Sequence, residues 1–172
     1  CQRLTRGVDF TVKESRTRAG MLRFRRNHGK TEVLLAHPGG PYFRNKDDGA
    51  WTVPKGEVGE GEDFLARARV EFEEELGIPA PTTVHLIELG SVKQKGGKTV
   101  HAWAFEGDCP ADFVAVSNTF ELEWPPRTGS MQQFPEVDRA EFFSLAKARV
   151  KIKEAQIAFL DRLAEALGLH NK

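Results

Sequence analysis

A short amphipathic segment, residues 63–76, constrains the fold of this 172-residue chain more than any other feature. Its apolar residues recur at the three- and four-residue spacing of an α-helix: Leu65, Ala68, Phe72 and Leu76. Gly77 suits the left-handed conformation that often ends a helix, and Pro79 and Pro81 prevent its continuation. The pattern predicts a helix that packs one face against a core.

Three carboxylates of this predicted helix share one face. At about 100° per residue, Glu71, Glu74 and Glu75 fall within about 100° of one another, whereas Glu73 points away. Like charges at these spacings destabilise a helix by about 0.2–0.5 kcal/mol per pair, and a divalent cation would remove that penalty. The face is therefore either a magnesium or manganese site or a solvated acidic surface, which is the commoner case for charge runs in general.

The composition and its distribution exclude several classes of protein. With 40% hydrophobic and 29% charged residues, the chain can form a core, and no apolar run is long enough to span a membrane. Its two cysteines, Cys1 and Cys109, cannot form a disulfide framework, which is typical of a cytoplasmic protein. Residues 1–30 contain nine basic and two acidic residues, but no recognition motif accompanies them, which argues against nucleic-acid binding.

Strand-like patterns lie on both sides of the predicted helix, which indicates a mixed sheet covered by helices. The predicted strands are residues 21–24, 33–36, 51–53, 84–92, 99–105 and 137–143. Residues 113–131 show no regular pattern, and a single long helix is predicted from a cap at Ser144 to Gly168. We expect one domain over residues 19–172. An N-terminal extension, residues 1–18, precedes it and is either poorly ordered or not part of the natural protein.

Residues 56–78 closely resemble the Nudix box, Gly-x5-Glu-x7-Arg-Glu-U-x-Glu-Glu-x-Gly-U, in which U is a bulky apolar residue. The matching residues are Gly56, Glu62, Glu71, Phe72, Glu74, Glu75, Gly77 and Ile78. Val70 stands where the family has an arginine. A Pro-Gly-Gly-Pro segment at 38–41 and the Trp-Thr-Val-Pro-Lys-Gly lead-in at 51–56 are similar to a bacterial group of this family.

The resemblance implies an α/β/α sandwich with a mixed sheet and a function. The implied reaction is Mg²⁺- or Mn²⁺-dependent hydrolysis of a diphosphate bond in a small-molecule nucleotide derivative, with no membrane partner. The implied metal ligands are Glu71, Glu74, Glu75 and the backbone carbonyl of Gly56. Glu62 and Gly77 would support the box, and we hypothesise that Arg67 takes over part of the role of the missing arginine.

The general base and the substrate contacts are less narrowly defined. Family members use either a box glutamate, here Glu71 or Glu74, or a glutamate from a later loop. The later candidates are Glu121, Glu123 and Glu136, and Lys55 and Arg44 are candidates for binding substrate phosphates. The alternative to an enzyme is a Nudix-fold module that binds a nucleotide with weak or no turnover, which Val70 keeps open.

Overall fold

The computed structural model describes residues 16–169, in which a mixed six-stranded sheet lies between helices. The strands are β1 (Thr17–Asn27), β2 (Lys30–Pro38), β3 (Lys55–Glu57), β4 (Ile87–Lys93), β5 (Thr99–Glu106), β6 (Thr119–Glu123), β7 (Met131–Pro135) and β8 (Val137–Ser144). The helices are α1 (Phe64–Leu76), α2 (Leu145–Lys151) and α3 (Ile157–Ala166), with a 3₁₀ turn at Glu154–Gln156. The predicted mixed α/β fold class is confirmed.

Strand β1 organises the sheet because it pairs with three other strands. It runs parallel to β5 and antiparallel to both β2 and β3, while β4 flanks β5 and β8 flanks β2. Along one edge, β2 pairs with residues 24–27 of β1, and β3 pairs with residues 18–20. On this side of β1, two different strands therefore pair with its two ends. The short strand β3, residues 55–57, also contacts helix α1.

Apolar side chains are buried on both faces of the sheet. On one face, Met21 of β1 belongs to the cluster that contains Phe72 of α1. On the other, Leu22 belongs to the cluster that contains Phe159 of α3. Because successive strand residues point to opposite faces, a central strand covered on both sides is buried almost continuously. The result is three layers: α1, the sheet, and α2 with α3.

Helix α1 begins and ends as its sequence predicts. The side chain of Asp63 accepts a hydrogen bond from the Ala66 N–H at 3.0 Å, which satisfies one free donor of the first turn. Gly77 adopts φ 72° and donates its N–H to the Glu73 carbonyl at 2.8 Å. Local hydrogen bonds therefore define both ends of the acidic helix.

The prediction of one long C-terminal helix is wrong. Ser144 caps α2 as expected, but the backbone turns to an extended conformation at Ile152, with ψ 151°, before α3 begins. The flanking residues pair instead with Trp51: its N–H donates to the Lys151 carbonyl at 3.0 Å, and the Lys153 N–H donates to its carbonyl at 2.8 Å. Helical periodicity does not reveal such a distant pairing.

Two further expectations about secondary structure are wrong. Residues 113–131 are not irregular throughout, because β6 lies among them and pairs with β7 in a separate two-stranded sheet. Residues 51–53 do not form a regular strand: Trp51 and Thr52 make isolated bridges only.

The expected domain boundary after residue 18 lies inside β1, whose first residue is Thr17. Residues 1–15, which make up most of the expected extension, lie outside the described part of the chain. No helix within residues 16–169 is long and apolar enough to cross a membrane.

A buried amide joins the break between α2 and α3 to the segment that precedes β3. The Oε1 atom of Gln156 accepts the backbone N–H of Val53 at 3.0 Å, and its Nε2 donates to Oε1 of Gln94 at 3.0 Å. The Gln156 side chain is fully buried. Because buried polar groups need partners, this residue supports the position of the chain just before Lys55.

We expect Gln156→Ala to lower the free energy of unfolding by about 1–3 kcal/mol, because it leaves the Val53 N–H buried without an acceptor. Urea denaturation would measure the change. Gln133→Ala, in the exposed part of β7, is the control and should change stability by no more than about 0.5 kcal/mol. Equal losses in the two variants would contradict the role given to Gln156.

Candidate active site

A cavity of about 570 Å³ lies where strand β3 and the following loop face helix α1. Six carboxylates of the described residues line it, three from the helix, one from the segment between β7 and β8, and two from β3 and the loop after it: Glu71, Glu74, Glu75, Glu136, Glu57 and Glu62. Gly56 of β3 forms part of the wall. The structure therefore brings together the predicted metal ligands, which include the candidate bases Glu71 and Glu74, and one of the later candidates, Glu136.

Gly56 lies closer to the Glu71 carboxylate than a residue with a Cβ atom could without moving that carboxylate. A Cβ atom at this position would lie 1.9 Å from the Glu71 carboxyl carbon and 2.1 Å from one of its oxygens. Real Cβ atoms do not come this close to another heavy atom, so a side chain here would displace the carboxylate. Glycine at this position leaves room for the Glu71 carboxylate where it stands, and its backbone angles are ones that other residues also adopt.

A chain of polar contacts links the loop before α1 to the carboxylate face. Glu62 accepts the Gly59 N–H at 2.8 Å and accepts from Nε of Arg67 at 3.1 Å. Arg67 also reaches Glu71, with Nη1 3.4 Å from Oε1. Glu62 thus joins the loop to the helix, and Arg67 contacts the same carboxylate that packs on Gly56, as the hypothesis about the missing arginine requires.

Backbone hydrogen bonds from a segment distant in sequence hold Glu136 at the cavity. The Asn118 N–H donates to the Glu74 carbonyl at 3.1 Å, and the Glu136 N–H donates to the Asn118 carbonyl at 2.8 Å. These two bonds place the start of β8 beside the last turn of α1. A residue 61 positions after Glu75 in sequence therefore lines the same cavity.

Burial and mutual repulsion disfavour the ionised forms of these carboxylates. Burial raises the pKa of Glu71, and the negative charge of Glu74 raises it further, while Arg67 acts in the opposite direction. Burial also raises the pKa of Glu75, to about 8, despite the opposing charge of Lys55. The pKa of Glu136 is raised by burial and by Glu74.

Lys55 stands between this acidic cavity and a basic region. Its backbone N–H donates to Oε2 of Glu75 at 3.2 Å, which fixes β3 to the helix. Burial lowers the pKa of its ammonium group to about 8, with further lowering by the charge of Lys153. Arg18 lies beside it, lines the same cavity, and approaches Glu57 at 3.5 Å.

The donor set suits a hard divalent cation. All the candidate ligands are carboxylate or carbonyl oxygens, which Mg²⁺ and Mn²⁺ prefer, and a cation would offset the burial and mutual repulsion that raise the pKa of these carboxylates. Within residues 16–169, no group of three or more His, Cys, Asp or Glu side chains is arranged to hold a metal ion as it stands. Binding would therefore have to draw the carboxylates together, a movement that the repulsion among them now opposes.

Three of the predicted site residues lie away from the carboxylate cavity. The carboxylate of Glu123 accepts the Gly129 N–H at 3.2 Å within the turn between β6 and β7, and Glu121 lies in β6. Arg44 is exposed in the loop after β2. None of these three is among the residues that line the carboxylate cavity. Arg18 does line it but was not a predicted site residue, because an arginine in a generally basic N-terminal region carries no distinguishing signal.

Comparison with known proteins identifies the family. The family model for the NUDIX domain matches residues 14–163. The chain belongs to the Nudix family. No curated protein sequence is similar enough to this Nudix chain to be matched.

Among solved structures, the Ap4A hydrolase of C. elegans, in a binary complex, shares 25% sequence identity with it. That alignment covers 88% of this chain and 97% of the other, with a TM-score of 0.61.

Two other solved structures share the fold. The NUDIX domain of Shewanella oneidensis NrtR, complexed with ADP ribose, is 15% identical, with a TM-score of 0.56 and coverage of 90% of each chain. A Nudix hydrolase from M. smegmatis, RenU, is 21% identical, with a TM-score of 0.52 and coverage of 91% of this chain and 89% of the other. The family match and the hydrolase neighbours support the predicted Nudix pyrophosphohydrolase.

We expect Gly56→Ala to reduce the activity of this Nudix protein by about 100-fold, since displacement of a reacting group by about 1 Å has an effect of this size. Steady-state hydrolysis would measure the loss, and circular dichroism would show whether the variant is folded. Gly107→Ala is the matched control, because its Cβ would meet Nε of Arg23 at an ordinary 3.5 Å. Full activity in Gly56→Ala would show that the position of Glu71 does not matter.

Arg67→Ala should weaken Mn²⁺ binding or activity by about tenfold, the lower range for loss of a residue that orients a metal ligand. Isothermal titration calorimetry with Mn²⁺ would measure the binding. The combination with Val70→Arg should recover part of the loss if Arg67 replaces the arginine of the box. Arg26→Ala, at the far end of β1, is the control and should bind Mn²⁺ as the wild type does.

Proposed function

We propose that this protein hydrolyses a diphosphate bond in a nucleoside di- or triphosphate derivative and depends on Mg²⁺ or Mn²⁺. The observation that carries the proposal is the convergence of the box carboxylates, Gly56 and Glu136 on one cavity. A charged cluster that served only as a solvated surface would not require the close contact between Gly56 and Glu71. The cavity therefore fits a site better than an acidic helix face.

Glu71, Glu74 and Glu75, with the carbonyl of Gly56, would hold the cation. When bound, a divalent cation polarises the phosphate oxygens and stabilises the charge that develops in the transition state. Arg67 orients Glu71, and Glu62 holds Arg67 and the loop in place. These residues are positioning groups, since their contacts run through Glu71 rather than to the reacting atoms.

Glu136 is the base that the arrangement favours. It lines the cavity beside the last turn of α1, and burial together with the charge of Glu74 raises its pKa, which brings it nearer to the range in which a carboxylate accepts a proton efficiently. It would take a proton from the attacking water. Glu74 is the second candidate for this role, whereas the carboxylate of Glu123 is occupied in the β6–β7 turn.

Lys55 and Arg18 would bind the phosphates of the substrate. Both line the carboxylate cavity, where the negative charge of bound phosphates would add to that of the carboxylates. The positive charges of these two side chains would offset it. Their position supports binding of the part of the diphosphate that extends away from Glu71.

The choice of substrate follows from the comparisons. Similarity to an Ap4A hydrolase at 25% identity favours a dinucleoside polyphosphate, and the NrtR domain shows this fold with ADP ribose bound. Nucleoside triphosphates and dinucleoside polyphosphates are therefore the first substrates to test. The resemblance to a bacterial group, a cytoplasmic location and the choice between Mg²⁺ and Mn²⁺ stay predictions.

The decisive experiment measures phosphate release from a panel of nucleoside triphosphates, ADP-ribose, nucleotide sugars and diadenosine polyphosphates, with each metal. Glu74→Gln should lower turnover by at least about 100-fold. Glu73→Gln is the matched control on the same helix, because Glu73 faces away and accepts the Ala80 N–H at 3.1 Å. Its turnover should equal that of the wild type.

The outcomes separate the enzyme from its alternative. Turnover that is lost in Glu74→Gln and retained in Glu73→Gln would support hydrolysis at this cavity. Binding of a nucleotide without turnover of any substrate would indicate a Nudix-fold binding module instead. In that case, Val70→Arg would be the first change to test for restored activity.

A further inference from the structure

The Pro-Gly-Gly-Pro segment, residues 38–41, is a sequence feature to which the proposed chemistry gives no role. It begins at Pro38, the last residue of β2. Pro38 pairs with Val137, the first residue of β8, and the register of the β2–β8 pairing shifts between His37 and Pro38. The segment therefore leaves the sheet at the point where β8 begins, next to Glu136.

Gly39, which is buried, lies against the backbone of the residues just before β8. Its N–H donates to the Glu136 carbonyl at 3.0 Å. A Cβ atom at Gly39 would lie 1.9 Å from the carbonyl oxygen of Pro135, whereas real Cβ atoms essentially never come within 3.0 Å of another heavy atom. Because the obstructing atom belongs to the backbone, rotation of a side chain cannot make room. Any side chain at Gly39 would therefore push the two backbone segments apart.

The backbone of Glu136 is held by hydrogen bonds from two different segments. Its N–H donates to the Asn118 carbonyl at 2.8 Å, and Asn118 is in turn bonded to the Glu74 carbonyl of α1. Its carbonyl accepts the Gly39 N–H. Gly39 thus supplies the second of the two backbone bonds that fix Glu136 at the cavity.

Contacts of the neighbouring residues hold the Pro-Gly-Gly-Pro segment in place. Gly40 adopts φ 96°, and a Cβ atom there would lie 3.0 Å from Cζ of Phe120 in β6. The fully buried side chain of His37 has Nδ1 2.8 Å from Oδ1 of Asp138 in β8. The segment is therefore attached to the strands on both sides of Glu136, and Gly39 lies between these attachments.

We infer that Gly39 is a positioning residue for Glu136. This inference rests on the proposed function, in which Glu136 takes a proton from the attacking water. Pro135 is joined to Glu136 by one peptide bond, so a displacement of its carbonyl also moves Glu136. The contacts of Gly39 run to Pro135 and Glu136 rather than to the carboxylates of α1, so these candidate metal ligands keep their places when Gly39 is changed.

Kinetics and metal binding of Gly39→Ala test the inference. The substitution should lower kcat by about 100-fold with KM unchanged, because a displacement of about 1 Å at a reacting group has an effect of this size. Steady-state hydrolysis of the best substrate of the panel would measure it, and circular dichroism would show that the variant is folded. Mn²⁺ affinity, measured by calorimetry, should equal that of the wild type, whereas Gly56→Ala should weaken it.

Gly107→Ala is the matched control for Gly39→Ala. Neither glycine has a positive φ, so neither substitution strains the backbone through its angles. A Cβ atom at Gly107 would meet Nε of Arg23 at an ordinary 3.5 Å. The kcat of this control should equal that of the wild type.

A double-mutant cycle separates positioning of Glu136 from general support of the fold. Glu136→Gln alone should lower kcat by at least about 100-fold, as expected for loss of a general base. Adding Gly39→Ala should lower kcat by no more than about twofold further, because residues that act through one group are not additive. A glycine that only supported the fold would lower kcat equally in both backgrounds.

Phe120→Ala takes the place of Gly39→Ala in the cycle if the glycine variant does not fold. It removes the ring that lies over Gly40 and leaves the backbone of Gly39 unchanged. The expected loss of kcat is smaller, about tenfold, because the displacement of Glu136 is smaller. In the Glu136→Gln background this loss should disappear.

The outcomes separate this inference from the proposed function. Full kcat in Gly39→Ala, an equal loss in both backgrounds or a loss of Mn²⁺ affinity would overturn the inference while hydrolysis stood. Full turnover in Glu136→Gln would remove the base from this position and overturn the inference as well. Failure of the wild type to hydrolyse any substrate of the panel would overturn both.

Discussion

Close approach of the backbone at two glycines is the constraint on which the candidate site depends. A Cβ atom at Gly20 of β1 would lie 2.5 Å from the Pro54 carbonyl, and one at Gly56 would collide with the Glu71 carboxylate. With both side chains absent, β3 fits between β1 and helix α1. That fit places the Gly56 carbonyl, Lys55 and the helix carboxylates around one cavity, and everything proposed about the chemistry follows from it.

Opposite charges on the two sides of Lys55 carry the functional argument. On one side, burial and repulsion raise the pKa of Glu71 and Glu75, and on the other, burial and repulsion lower the pKa of Lys153. Each cluster is unfavourable alone, because like charges are brought together in a partly desolvated place. A divalent cation would offset the repulsion within the first of these clusters.

Val70 is the clearest departure of this chain from its family, and the surrounding contacts reduce its consequence. Arg67, one turn earlier on the helix, contacts both Glu62 and Glu71. A charge-assisted contact to the carboxylate therefore exists without an arginine at position 70. We expect the protein to retain catalysis, and a binding-only function would need another cause than the missing arginine.

Elements with local signals could be predicted from the sequence. Helix α1, its caps at Asp63 and Gly77, and the shared face of Glu71, Glu74 and Glu75 follow from spacing over a few turns. The box motif then indicated the family, and the family implied the layered fold, which the structure has.

Contacts between distant segments could not be predicted in this way: they bring Glu136 rather than Glu123 beside the box, bring Lys153 near Lys55, and interrupt the helix at Ile152. These contacts depend on pairing between segments tens of residues apart, and local periodicity carries no information about such pairing.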